Sequence, residues 1–87
     1  MSTVAAEASP LIRNVRFDES QLIVELSDGR ILGTPVRWYP RLALATPAQR
    51  ANWQLLAGGE GIHWPDVDED LSLEGMLAGR AAPGAKT

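Results

Sequence analysis

Apolar and polar residues alternate along the first third of the chain. In residues 21–27, the apolar side chains that fall at every second position share one face, which is the repeat of a half-buried β-strand, and residues 11–17 end in the same alternation. Asp28 and Gly29 come next, a preferred pair for a type I′ hairpin turn, and residues 30–36 are again rich in apolar side chains. The pattern predicts three strands joined as an antiparallel meander.

The clearest helix signal begins at Thr46. Thr46 is a good N-cap, Pro47 suits the first helical position because its missing N–H is not needed there, and Gln49 completes a capping box. Small and apolar residues then recur at helical spacing, and Gly58 or Gly59 is expected to end the helix. The sequence therefore predicts one capped helix after the meander.

Two short elements are predicted beyond these glycines. Residues 62–64 form an extended segment closed by Pro65, and a second helix, capped by Ser72, has an apolar face and stops at Gly79. The predicted fold class is α+β: a three-stranded antiparallel β-meander followed by one capped helix, a short extended segment and a second short C-terminal helix.

Length and composition fit a single small domain. The chain has 87 residues, and we expect residues 10–80 to form one α+β domain, with residues 1–9 and 81–87 as mobile tails. Because there is no cysteine and one histidine, we expect neither disulfides nor a structural zinc site, and we predict no cofactor. The chain begins without a signal-peptide pattern and no apolar run is long enough to span a bilayer, which favours a cytoplasmic protein without membrane contact.

The distribution of charge argues against nucleic-acid binding. The net charge is −3, Lys86 is the one lysine, and the arginines are scattered along the chain rather than clustered. Nucleic-acid binding draws much of its affinity from clustered basic side chains. An acidic surface suits a basic protein partner better.

Four aromatic side chains are candidates for the core or for a contact surface. Trp38 is expected to cover one edge of the core with Tyr39 on the surface, and an exposed aromatic contact site stays open as the alternative. Trp53 is expected to be half-buried against the sheet. Trp64 lies between the glycines and the second helix, where its indole is expected to fasten the crossing segment to the sheet.

An acidic run, residues 66–70, follows the one histidine, His63. Its spacing does not fit a calcium-binding loop of the EF-hand type, and magnesium binding stays open without support from the spacing. The acids are expected to favour the start of the second helix, because negative charge is stabilising near a helix N-terminus. His63 is expected to be a hydrogen-bonded structural group rather than a base or a metal ligand.

Four stretches carry a joined pattern: Ser27-Asp28-Gly29-Arg30, Trp38-Tyr39-Pro40-Arg41-Leu42, Arg50-x-Asn52-Trp53 and Gly59-x-Gly61-Ile-His63-Trp64-Pro65-x-x-Asp68-Glu-Asp70-x-Ser72. In this pattern, which covers roughly residues 12–79, the chain resembles a small bacterial family catalogued as domain of unknown function 2442. The resemblance implies a compact α+β domain and carries over no catalytic residue. It also implies genes that often adjoin another short family, in an arrangement similar to toxin–antitoxin pairs. Some relatives continue into a helix-turn-helix segment; we expect none after Gly79 here, which argues against a DNA-binding role.

Three functions are compatible with these observations. The preferred one is a non-catalytic protein-interaction module, an antitoxin-like partner of a small, basic, toxin-like protein encoded next to it. The second is a metal-binding protein or enzyme that uses His63 with the aspartates of the acidic run, and the third is a transcriptional regulator. The oligomeric state stays open, with a homodimer as one option. The candidate partner-binding residues are Trp38, Tyr39, Arg50, Asn52, Trp53, His63, Trp64, Asp66, Asp68 and Asp70.

Overall fold

Two three-stranded antiparallel sheets share one apolar core in the computed structural model, which describes residues 9–82. The strand orders are β1-β2-β3 and β4-β5-β6. A single 3-10 turn, Val36–Trp38, follows the first sheet. The other elements are β1 Ile12–Phe17, β2 Gln21–Leu26, β3 Ile31–Pro35, α1 Pro40–Ala43, α2 Pro47–Ala51, β4 Gln54–Leu56, β5 Gly61–Trp64, β6 Glu69–Ser72 and α3 Leu73–Leu77.

The first sheet is the predicted meander, and the α+β class is confirmed. On β2, the alternating residues Leu22, Val24 and Leu26 all lie in the core. On β1 the alternation is interrupted, because the register with β2 shifts between Ile12 and Asn14. That irregularity lets Ile12 and Val15 face the same core although they are three residues apart.

The turn between β2 and β3 differs from the prediction. A type I′ turn requires positive φ at both central residues, and here Gly29 has a φ of 93° while Asp28 does not have a positive φ. The amide of Gly29 donates to Leu26 O at 3.0 Å, and the amide of Leu26 donates to Arg30 O at 2.9 Å. This is the pattern of a three-residue loop that ends with a glycine in the left-handed region.

The capped helix begins where the sequence predicts but ends much earlier. Thr46 and Gln49 form the capping box, whereas α2 stops at Ala51 and buries none of its residues. The prediction that the helix continues to Gly58 or Gly59 is wrong, because Leu55 and its neighbours form β4 and pair with β5. The following turn reverses the chain through three consecutive residues with positive φ, Ala57–Gly59.

The predicted extended segment is the central strand of a second sheet that the sequence analysis did not anticipate. β5 pairs with β4 on one side and with β6 on the other. The acidic run therefore lies in the β5–β6 hairpin and does not lead directly into a helix. The second helix itself is confirmed as α3, with the Ser72 hydroxyl accepting from Gly75 N at 2.9 Å and Gly79, at a φ of 77°, just after its end.

The two sheets are joined through the turn that precedes β5. The amide of Ile12 donates to Gly59 O at 2.8 Å, and the amide of Leu73 donates to Glu60 O at 2.9 Å. The core draws on both sheets and on the helical segment between them. Its members are Ile12, Val15, Leu22, Val24, Leu26, Val36, Tyr39, Leu42, Ile62, Trp64, Leu73 and Met76.

Most of the predicted tails, residues 1–8 and 83–87, lie outside the described residues. The folded body continues at least to Ala82, whose amide donates to Trp38 O at 3.0 Å and whose side chain packs on the core. Within residues 9–82, no helix is long and apolar enough to cross a membrane.

Candidate functional site

Four carboxylates project from the β5–β6 hairpin, and we call its segment from Asp66 to Asp70 the acidic hairpin. Asp66 and Asp68 are exposed in the turn, and Asp68 has a φ of 54°. Val67 between them is partly buried and packs against the core, which fixes the turn on the body of the domain. The position of the acids is therefore set by the fold, since their hairpin is anchored on both of its strands.

Three polar groups hold the acidic hairpin in place. Asn52, at the end of α2, donates from Nδ2 to Asp66 Oδ2 at 3.1 Å. The guanidinium of Arg41 donates to the backbone carbonyl of Asp68, not to its carboxylate. Across the strands, His63 Nδ1 pairs with Asp70 Oδ1. Asn52, His63 and the acids of the hairpin therefore lie on one surface, and all but Glu69 are candidate partner-binding residues from the sequence.

The hairpin carboxylates are poorly compensated by basic side chains. In the described part of the chain, the ion pairs are Arg16–Glu25, Arg30–Asp28 and His63–Asp70, so Asp66, Asp68 and Glu69 have no ion-pair partner there.

The pKa of Glu69 is raised above the ordinary glutamate value. Burial is the largest cause, opposed by the charge of Arg41 and reinforced by the negative charges of Asp70 and Asp68. The carboxylate is therefore partly desolvated, and the nearby positive charge of Arg41 does not fully offset that burial.

The second sheet has one apolar and one polar face. Leu55, Ile62 and Leu71 form one cross-strand row, in which Ile62 is fully buried, Leu71 packs against the core and Leu55, on the edge strand, is 36% exposed. On the outer side, Gln54, His63 and Asp70 form one cross-strand row. The adjacent row contains Leu56, Gly61 and Ser72, with Leu56 40% exposed. A polar surface with one exposed leucine thus continues from the acidic hairpin.

Two of the aromatic candidates lie in the core instead of at a surface. The prediction that Tyr39 is on the surface is wrong, since it is 1% exposed, and Trp64 is 0% exposed. Burial of Trp64 confirms that it fastens β5 to the body, and its Nε1 donates to Arg50 O at 3.1 Å. Trp53 is half-buried against the core, as predicted, and Trp38 is too.

Arg50 is occupied by contacts within the chain. Its Nε donates to Leu42 O at 2.9 Å and its Nη2 to Ala43 O at 3.2 Å, so the guanidinium caps the end of α1. The guanidinium carbon also lies 5.0 Å from the centroid of the Phe17 ring, within the range of a cation–π contact. Phe17 in turn meets Trp64 edge to face. These contacts give Arg50 a structural role.

Sequence reasoning missed Glu69 and Arg41. Glu69 belongs to the acidic run, and recognising the run as a β-hairpin would have placed it opposite Trp64. Arg41 reaches the hairpin from α1, and no local pattern indicates that contact. In residues 9–82, no three His, Cys, Asp or Glu side chains are grouped closely enough to hold a metal ion.

The fold and this surface define a small α+β domain with an acidic hairpin. The chain belongs to the family described as "Protein of unknown function (DUF2442)", whose model matches residues 12–82. No curated protein matches it.

Two solved structures are similar. A protein of unknown function from Rhodospirillum rubrum has 32% identity and a TM-score of 0.75, with 88% of this chain and 95% of that chain covered. An uncharacterized protein from Chromobacterium violaceum has 25% identity and a TM-score of 0.73, with 93% of this chain and 75% of that chain covered.

Proposed function

We propose that this protein is a non-catalytic interaction module that binds a small basic protein through the acidic hairpin. In this proposal it acts like an antitoxin, and its partner is a toxin-like protein encoded by the adjoining gene. The proposal includes a cytoplasmic setting, which the lack of cysteine allows without requiring it.

The observation that carries the proposal is the unpaired state of the hairpin acids. Asp66, Asp68 and Glu69 make no ion pair within the described residues, although arginines elsewhere in the domain do pair with carboxylates. A cluster of like charges on a rigid turn raises the local concentration of an oppositely charged partner and speeds its association. The partner that complements this cluster of negative charges is a protein with a basic patch.

The outer face of the second sheet supports the same proposal. Leu56 is 40% exposed there and lies two strands away from β6, so apolar and acidic groups share one surface. Protein interfaces commonly combine an apolar centre with a polar rim. The expected partner surface therefore carries basic side chains around at least one apolar residue.

Co-expression with the product of the adjoining gene tests the proposal. We expect the two chains to co-purify and to elute together in size-exclusion chromatography at low salt, and the complex to weaken as salt rises. A chain that elutes alone at micromolar concentration with its neighbour present would contradict the proposal.

Two control experiments address the alternatives. A gel shift at low salt detects nucleic-acid binding, because such binding is strongest there. Calorimetry with magnesium, manganese and zinc detects metal binding at the hairpin. A shift or a heat of binding, with no complex formed by the neighbouring protein, would replace the interaction module by a regulator or a metal-binding protein.

A further inference from the structure

A groove opens between α3, the β4–β5 turn and the segment that leads into β1, and we call it the α3 groove. Its volume is about 710 Å³, within the roughly 300–1,000 Å³ typical of ligand sites. Leu73, Glu74 and Leu77 line it from α3, Glu60 lines it from the turn, and Leu11 lines it from the segment before β1. The groove is large enough to receive part of another molecule.

The α3 groove exposes apolar surface that the core does not use. Leu73 is 5% exposed and belongs to the core, whereas Leu77, one turn later on α3, is 49% exposed. Both leucines line the groove, so its apolar lining continues from the edge of the core out to the surface. Covering an exposed leucine of this kind is favourable, because apolar area is removed from water.

The charge of the α3 groove is negative. Glu60 and Glu74 are exposed, and none of the groove's lining residues in the described part of the chain is basic. Neither glutamate forms an ion pair within residues 9–82. An occupant that carries lysine or arginine beside an apolar side chain would complement both the charge and the apolar surface.

The α3 groove is continuous with the acidic surface of the second sheet. A neighbouring trough of about 430 Å³ has Leu56, Gly61 and Asp70 among its lining residues. Glu60 and Ser72 line both the trough and the α3 groove. A partner that contacts the acidic hairpin can therefore reach the groove along one uninterrupted surface.

The charges decide between three occupants. Residues 1–8 precede the groove in the chain, but they contain one acid and neither lysine nor arginine. A second copy of the chain would bring a net charge of −3 to a surface that is already acidic. A basic protein partner is the occupant that electrostatic complementarity favours.

We propose that the α3 groove binds an amphipathic segment of a basic protein partner. An apolar side chain of that segment packs on Leu77, and flanking lysine or arginine side chains pair with Glu60 and Glu74. An amphipathic helix laid into an apolar groove is a common form of such recognition. The identity of the partner rests on the function proposed above: the acidic hairpin speeds association with it, and the groove slows its dissociation.

Binding kinetics with the adjoining gene product test the groove. Leu77→Ala removes the exposed leucine and keeps a good helix former in α3. Leu44→Ala, at a leucine that is 87% exposed and does not line the groove, is the matched control. We expect Leu77→Ala to bind at least about fivefold more weakly through faster dissociation, at low and at high salt, and Leu44→Ala to match the wild type. An unchanged dissociation rate for Leu77→Ala, or an equal change in Leu44→Ala, would overturn the proposal.

The charges of the groove are tested by a second variant. Glu60→Gln with Glu74→Gln should weaken binding several-fold at low salt, and the loss should shrink as salt rises. Glu19→Gln with Glu25→Gln removes the same charge from the first sheet and should bind like the wild type. Equal losses in the two double variants would contradict the pairing of the groove with basic side chains.

Measurements on the protein alone detect the other two occupants. If residues 1–8 fill the groove, Leu77→Ala lowers the melting temperature more than Leu44→Ala does and leaves partner binding unchanged. If a second copy fills it, the wild type elutes as a dimer at high concentration and Leu77→Ala elutes as a monomer. Either result would contradict the proposal.

A short amphipathic peptide of leucine and lysine separates the groove from the proposed function. We expect it to shift the backbone amide NMR signals of Leu73 and Leu77, and a peptide with serine in place of leucine to lose these shifts. Shifts centred on Asp66 and Asp68 instead would overturn the groove proposal. If the adjoining gene product does not bind and the peptide shifts the α3 signals, the groove stands and the proposed partner is wrong. If that protein binds wild type and Leu77→Ala equally, the proposed function stands and the groove proposal is wrong. If neither the protein nor the peptide binds, both are wrong.

Discussion

The carboxylates of the two sheets are in opposite situations. In the first sheet, Asp18 accepts hydrogen bonds from the amides of Ser20 at 3.0 Å and Gln21 at 2.8 Å, and these bonds lower the pKa of Asp18. Asp28 accepts from Arg30 in the same way, and its pKa is lowered too. In the second sheet, burial raises the pKa of Glu69, and no basic side chain pairs with it in residues 9–82.

The acids of the first sheet thus stabilise the fold, whereas the acids of the second sheet are available to a partner in the function proposed above. The carboxylates of the first sheet stabilise their turns, since each is bound by groups of its own chain. Partial burial of the Glu69 carboxylate instead costs stability. Local conflicts of that kind are expected at functional sites, where the chain is selected for binding more than for stability.

The largest effect should come from the anchor of the second sheet. Trp64→Ala removes a fully buried indole, and we expect a loss of about 3–5 kcal/mol, which could unfold a domain of this size. Urea denaturation followed by circular dichroism measures it. Trp53→Ala, at a half-buried position, is the control and should cost less. If both variants unfold at the same urea concentration as the wild type, the second sheet does not contribute to the core as described.

The junction between the sheets gives the next effect. An added Cβ at Gly59, where φ is +123°, would lie 2.7 Å from Ile12 O, so Gly59→Ala should cost about 3 kcal/mol from strain and overpacking. At Gly58, with a φ of +70° and nothing within 4 Å of an added Cβ, alanine should cost only about 1–2 kcal/mol. Melting temperatures of the two variants measure the difference. Similar values would mean that the Gly59 contact does not join the sheets.

A smaller effect should come from the cap of α2, the helix in the chain segment that leads from the first sheet to the second. Thr46 Oγ1 accepts from Gln49 N at 3.1 Å, and Thr46→Ala should cost about 0.5–2 kcal/mol. Thr46→Ser keeps the hydroxyl and is the matched control. An unchanged melting curve for Thr46→Ala would show that the cap is dispensable.

The smallest effect tests whether Glu69 and Asp18 change the stability of the fold in opposite directions. A raised pKa means that Glu69 destabilises the fold above its folded pKa, and that this cost disappears as the pH falls towards the ordinary glutamate value of 4.5. Glu69→Gln should therefore melt above the wild type at pH 7, with a gain that shrinks on acidification. Asp18→Asn should do the reverse, because a lowered pKa contributes stability at neutral pH that is lost as the pH falls.

Thermal melts at a series of pH values compare the two variants. A lower melting temperature for Glu69→Gln at pH 7 would place Glu69 among the acids that stabilise the fold. The distinction between the two sheets would then be wrong.

The sequence predicted the parts of this fold that depend on local patterns. Alternation placed Leu22 and Val24 in the core, and the Thr46 capping box marked the start of a helix. β4 was missed because three residues are too few to show alternation, and Leu55 also fits a helical spacing with the residues before it. Its identity as a strand depends on pairing with β5, which lies beyond a turn.

The candidate site was predictable only in part. The acidic run and His63 are visible in the sequence, but their arrangement follows from the β5–β6 pairing. Burial of Tyr39 depends on packing between segments distant in the sequence, and the Arg41 contact with Asp68 joins residues 27 positions apart. Neither feature has a local signal.

Association kinetics with the adjoining gene product test the central claim most directly. Asp66→Asn with Asp68→Asn removes two hairpin charges; asparagine can still accept from Asn52 and tolerates the positive φ of residue 68. Glu19→Gln with Glu25→Gln removes the same charge from the first sheet. We expect the hairpin variant to fold normally and to associate about tenfold more slowly at low salt, with the difference shrinking at high salt. The first-sheet variant should stay close to the wild type. Equal slowing of both variants, or a hairpin variant that melts far below the wild type, would contradict the claim that the second sheet presents its acids to a partner.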